Sequence, residues 1–162
     1  MVVEKILGQA DEARFVGRRR ELLRLRSEEA QRRRFRRATD DGTIVVVDLP
    51  RGSFLRQGAV LHDDGERIVV VERSPEPALI LRLESALPCQ LLLEQAARIG
   101  HWAGNQHLLV EAVGYEIRVR IATTKELLLS SAQLLALEGA QLTIADVAFA
   151  LERPSSPGHA HG

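Results

Sequence analysis

Residues 78–121 read ALILRLESALPCQLLLEQAARIGHWAGNQHLLVEAVGYEIRVRI, and two hydrophobic rhythms alternate within them. Ala78–Leu83 is a short apolar run of strand length. Pro88–Ala103 carries apolar residues at helical spacing, with Pro88 suited to a first turn, where its missing N–H costs nothing. Leu109–Val113 and Glu116–Ile121 are strand-like on either side of Gly114. Downstream, Thr123 with Glu126 three residues on makes a capping box for a Leu/Ala-rich helix over Thr124–Glu138, which Gly139 closes. Leu142–Ala150 supplies a last strand.

The resulting order, β-α-β-β-α-β, is the split βαβ pattern of ferredoxin-like domains. The residues before it have a different rhythm. Val2–Leu7 is short and apolar, Asp40-Asp41-Gly42 marks a turn, and Thr43–Leu49 is a β-branched run. Pro50-Arg51-Gly52, Arg56-Gln57-Gly58 and Asp63-Asp64-Gly65 punctuate the strands Ala59–Leu61 and Arg67–Glu72. Short strands between Asp/Gly turns predict a small sandwich or open barrel rather than a parallel sheet. Ser74-Pro75-Glu76-Pro77 forms a stiff extended connector. The expected class is therefore α+β in two domains: an all-β domain over 1–76 and a ferredoxin-like domain over 77–152. Residues 153–162, rich in Pro, Ser, Gly and His, are expected to form a disordered tail.

Hydrophobic residues make up 45% of the 162 and charged residues 27%, the balance of a soluble globular protein. Aromatics are only 4%, so the cores must be built from Leu, Val, Ile and Ala. Twenty-two basic side chains cancel 22 acidic ones, which argues against whole-molecule attraction to nucleic acid or anionic membrane. One cysteine, Cys89, allows neither an internal disulfide nor a thiolate zinc cage within one chain. No stretch approaches the roughly 20 apolar residues that span a bilayer. The N-terminal MVVEKILGQADEARF has acids and no apolar h-region, so it is not read as a secretory signal and the cytoplasm is expected.

Chemistry rests mainly on the histidines. His62 adjoins the Asp63-Asp64-Gly65 turn and reads as a solvated strand end. His101 and His107 flank Gly104-Asn105, where the helix should stop, and His159 and His161 lie in the tail. Imidazole suits Ni(II), Cu(II) and Zn(II), yet no single part of the chain gathers four donors. A two-fold dimer with His107 near its axis would bring two imidazoles to one ion, and tail histidines could complete the shell. Such an open site exchanges its ion readily, which favours carriage over catalysis. The alternative is that His107 merely ends a helix.

Arg18–Arg37 holds ten of the chain's arginines, including Arg32-Arg33-Arg34-Phe35-Arg36-Arg37. A basic cluster with an aromatic inside it can hold RNA phosphates. The interspersed Glu21, Glu28 and Glu29 and the neutral total favour instead a turn capped by Ser27 and a strand whose arginines face solvent. Cys89 near a helix start has no partner at a catalytic spacing. No P-loop, dinucleotide fingerprint, HExxH or GxSxG is present, and no enzyme is expected.

Ala96–Val110, AARIGHWAGNQHLLV, resembles the urease accessory protein UreE family, whose helix ends in Gly-Asn-Arg-His before a strand. The arginine-rich strand, the Asp40-Asp41-Gly42 turn, Leu49-Pro50-Arg51-Gly52 and Leu55-Arg56-Gln57-Gly58 resemble its N-terminal domain. Val147-Ala148-Phe149-Ala150-Leu151-Glu152 is similar to its Ala-Pro-Phe-Glu-Pro-Glu segment. The resemblance implies a β-domain that engages partners and a ferredoxin-like domain that forms a homodimer. It also implies Ni(II) as cargo, with Zn(II) or Cu(II) as competitors, bound at His107 with help from His159 and His161, and His101 as a further candidate. The partners implied are an accessory GTPase and apo-urease, with a metal-bridged tetramer as an extension of the dimer. An RNA-binding factor using Arg18–Arg37, or an interaction scaffold with weakened metal binding, are the alternatives. Three positions depart from the family pattern: Gln106 replaces its arginine, Leu109 its proline, and Ile121-Ala122-Thr123-Thr124 its Asp-His-Val-Leu.

Overall fold

The computed structural model describes residues 1–150 and is mixed α+β. Two compact units are present, one containing Met1–Ser74 and the other Pro75–Phe149.

The first unit contains β1 (Val2–Val3), β2 (Gly8–Gln9), β3 (Arg19–Leu25), α1 (Ser27–Ala30), β4 (Arg34–Ala38), β5 (Ile44–Asp48), β6 (Ala59–Asp63) and β7 (Arg67–Arg73). They form two sheets, in the orders β1-β5-β4 and β2-β6-β7-β3. Leu23, Leu25, Val45, Val47, Val69 and Val71 from both sheets share one buried cluster. The run Ile44–Val47 is apolar throughout, yet Val45 and Val47 are buried while Ile44 and Val46 stay 40% and 38% exposed. Strand pleating separates them, because successive side chains point to opposite faces.

Three sequence expectations change here. The sheets are mixed, since β1 runs parallel to β5 and β3 parallel to β7. Those strands are joined by long connections, and only such connections allow parallel pairing. Strand β3 was hidden inside the arginine run, where alternating Leu23 and Leu25 are the buried members. Ser27 is buried inside α1 and does not cap it; the N–H of Arg26, the residue before, donates to Glu29 Oε2 at 3.0 Å.

Glu21 on β3 is fully buried and receives hydrogen bonds from the Thr39 hydroxyl and from Arg67 Nη1, the latter at 2.6 Å. Arg67 Nε also reaches Asp64 Oδ2 at 3.0 Å. Burial pushes the Glu21 carboxyl up, but hydrogen bonds from Thr39 and Thr43 and the charge of Arg67 outweigh it and hold the group below its ordinary value. The backbone N–H groups of Arg67 and Glu66, with the Arg67 side chain, lower Asp64 to about 2.

The second unit contains β8 (Glu76–Leu83), α2 (Cys89–Asn105), β9 (Val110–Val113), β10 (Glu116–Arg120), α3 (Lys125–Gln133) and β11 (Ala140–Val147). Its four strands are antiparallel in the order β11-β8-β10-β9. Leu79, Leu81, Leu83, Ile117 and Val119 of the sheet pack with Ile99 of α2 and Leu128 and Ala132 of α3. The alternate positions of β10 face the other way, where Arg118 lies 3.1 Å from Glu116 and 3.6 Å from Glu111.

Pro88 is the N-cap of α2 rather than its first residue. Helix α3 ends at Gln133, earlier than the expected Glu138, and Thr123 forms no capping box, because Thr124 takes the N-cap without a side-chain bond. Leu135 and Leu137 must turn into the core, and Arg98 of α2 captures the Leu135 carbonyl. A helix continued through these residues would lose that bond. No helix among the described residues is long and apolar enough to cross a membrane.

Both lowered carboxyls stabilise the folded state above their unfolded values of 4.5 and 3.8; that contribution is lost as pH falls through the folded value of each, which for Asp64 is about 2. Glu21→Gln should therefore reduce the loss of stability as pH falls below 4.5 while lowering stability at pH 7 by ~2 kcal/mol. Hydrogen-exchange protection of the β3 and β7 amides across pH reads both effects.

Candidate metal site

Helix α2 ends on the motif Gly104-Asn105-Gln106-His107. Its buried stripe, Gln95, Ile99 and Ala103, fixes which face meets the sheet. Ala103 is fully buried, so the helix is held down to within a turn of its end.

The chain then leaves the helix through a Schellman turn. The N–H of Leu108 donates to the Ala103 carbonyl at 3.0 Å, and that of His107 to the Gly104 carbonyl at 3.0 Å. Leu108 also packs in the core cluster with Trp102, the apolar contact that accompanies such turns. The position after the C-cap must then be left-handed, and His107 has φ 53°. Glycine usually fills this position, because a side chain there crowds the backbone. An imidazole costs the fold ~1 kcal/mol.

His107 is exposed. The last turn of α2 carries no basic side chain, so the negative end of a 17-residue helix is left uncompensated. That end favours a cation. The turn itself is braced from α3: Ser131 Oγ accepts Trp102 Nε1 at 2.7 Å and Gln106 Nε2 at 3.2 Å.

The other candidate residues are placed differently. His101 lies six residues before His107, and its Nε2 accepts the Asn105 side-chain amide at 2.9 Å. A metal at that nitrogen would have to displace Asn105. His62, on β6, sits with Nε2 3.9 Å from Asp64 Oδ2. His159 and His161 lie outside the described residues. Cys89 is exposed at the opposite end of α2, about 18 Å from His101 by helical rise. Among the described residues, no three His, Cys, Asp or Glu side chains come together as a metal cage. One chain's described residues thus offer a single free imidazole at a helix end. That donor set fits an ion only if further donors come from elsewhere.

In the arginine run, Arg18, Arg19, Arg24, Arg34 and Arg37 each pair with a carboxylate. Sequence reasoning missed the Glu21–Arg67 network and the Ser131 brace. Both join residues 25 or more positions apart, and neither has a local signature.

A family model described as the UreE urease accessory protein N-terminal domain matches residues 3–73. The urease accessory protein UreE 1 of Pseudomonas syringae pv. syringae is 31% identical over 127 residues, covering 74% of this chain and 82% of that protein. The urease accessory protein UreE of a Nostoc species is 36% identical over 98 residues, 60% of this chain and 62% of its own length. That of an Arthrobacter species is 30% identical over 115 residues, 67% of each. A mixed α+β protein with an exposed histidine at a braced helix end, and relatives named for accessory work, belongs among the accessory proteins. Specifically, this chain belongs to the UreE family of urease accessory proteins.

His107→Gly should relieve the left-handed strain and raise the stability of the second unit by ~0.5–1 kcal/mol. Urea unfolding followed by the fluorescence of the single tryptophan, Trp102, measures it. A substitution that removes a side chain and increases stability would mark the histidine as kept for something other than folding.

Proposed function

We propose that the chain is a nickel carrier that delivers Ni(II) to apo-urease during assembly of the urease metallocentre, and that it catalyses no reaction. The observation that carries this reading is His107: an exposed imidazole, in a strained backbone position, at the uncompensated negative end of α2. Membership of a urease accessory family supports reading that residue as a ligand for the cargo. Neutral imidazole is a suitable donor for Ni(II), with Zn(II) and Cu(II) as competitors.

One imidazole is too few, so two chains share the ion across a two-fold axis, and His159 and His161 complete its shell. Residues 77–152 act as a ferredoxin-like dimerisation domain, residues 1–76 as a β-domain that meets the accessory GTPase and apo-urease, and 153–162 as the tail. Two such dimers could join around one surface ion into a tetramer. The cytoplasm is the compartment that this work requires. His101 contributes least, since Asn105 already occupies its Nε2. The dimer reading is supported by Leu127 of α3 and Leu134 at its C-cap, which are 64% and 85% exposed. They lie one turn either side of Ser131, on the face that meets Gln106. The ion pairs within Arg18–Arg37 weigh against the RNA-binding alternative, because the cations they involve already have partners.

Calorimetric titration of the full chain with Ni(II) tests the carrier reading. Binding should be stoichiometric, vanish in His107→Ala, weaken in a variant ending at Pro157 and change little in His101→Ala. Binding indifferent to His107 would sink it. Leu134→Asp should shift the chain toward monomer in sedimentation and weaken Ni(II) binding in parallel; a dimer untouched by this change puts the interface elsewhere.

A further inference from the structure

We propose that Ser131 is a positioning residue for His107: its hydroxyl holds the last turn of α2 in the left-handed form that presents the imidazole. This inference rests on the nickel reading above and assigns a role to a residue outside the motif.

The geometry has three parts. A hydroxyl oxygen has two lone pairs, and the Ser131 oxygen uses them on donors at 2.7 and 3.2 Å, the Trp102 indole and the Gln106 amide. The donors bracket the turn, since Trp102 lies in the last helical turn and Gln106 is the C-cap immediately before His107. The serine is itself fixed, because its neighbours Leu128 and Ala132 on α3 are 2% and 1% exposed and belong to the core.

A non-glycine residue at φ 53° persists only where its surroundings hold it. The two Schellman hydrogen bonds and the packing of Leu108 do part of this. They hold the backbone of the turn, as does the Gln106 N–H on the Ala103 carbonyl at 3.2 Å, but leave the Gln106 side chain free to swing. Tying Gln106 to α3 removes that freedom, so the imidazole is oriented before the ion arrives and less entropy is lost on binding. The arrangement also accounts for Gln106 in a place where the family motif has arginine. A glutamine amide is a short neutral donor that reaches the serine without adding a positive charge beside a cation site.

The test uses the full chain with Ser131→Ala, Ser131→Thr and Gln106→Ala, each titrated with Ni(II) by calorimetry. Trp102 is the chain's single tryptophan, so its one indole N–H resonance reports the brace directly. Ser131→Ala should move that resonance and weaken Ni(II) binding about tenfold. Ser131→Thr keeps the hydroxyl and should restore both. Gln106→Ala removes only the arm next to the histidine and should weaken binding about threefold, which carries the test should Ser131→Ala fail to fold. Unchanged affinity in Ser131→Ala, with the indole resonance displaced, would overturn the positioning role. So would equal weakening in the alanine and threonine variants, since that points to packing rather than the hydroxyl. An unaltered chain that binds no Ni(II) overturns the nickel reading itself, and this inference with it.

Discussion

The turn that ends α2 constrains everything built on the second unit. Ile99 and Ala103 bury one face of the helix against the sheet, and Leu108 must return to the same core five residues after Ala103. A chain that has to re-enter the core so soon can do so only by reversing through a left-handed residue. His107 is that residue. Its side chain therefore leaves the helix end in a direction set by backbone geometry, toward solvent and away from the apolar cluster.

On the proposed carrier reading, this placement sets folding against function. Glycine would suit the backbone better, and the strain of keeping an imidazole there is small beside the total stability of a domain. What the fold gains in return is a donor with little steric competition, at the end of a helix whose dipole favours positive charge. The brace from Ser131 makes the strained turn more definite. Because that brace comes from α3, the geometry of the helix end depends on the packing of both helices on one sheet.

The first unit follows a different logic. It buries a carboxylate, Glu21, and compensates for that burial with the Thr39 and Thr43 hydroxyls and the Arg67 guanidinium. The same guanidinium holds Asp64 beside the Gly65 turn, where the Gly65 N–H donates to Asp63 and φ is +95°. Register between β3 and β7 and the geometry of the turn before β7 are thus coupled through Arg67. Five of the ten arginines in Arg18–Arg37 form surface pairs with carboxylates, each worth less than about 1 kcal/mol.

Sequence alone determined the alternation of strands and helices over 78–150, the turns at Gly42 and Gly65, and the histidine that ends α2. These are local properties: hydrophobic period, turn chemistry and motif spacing act over a few residues. It misjudged the end of α3, the capping role of Ser27 and the parallel pairs in the first unit, and it passed over β3. Each of these depends on which distant segment a residue meets. Leu135 turns inward because the core and Arg98 receive it, and Ser27 is buried because α1 packs there. Only the tertiary structure decided that His107 sits left-handed, that Asn105 occupies His101, and that Ser131 reaches Trp102 and Gln106. The physical reason is that a hydrogen bond between two helices leaves no periodic trace in either one.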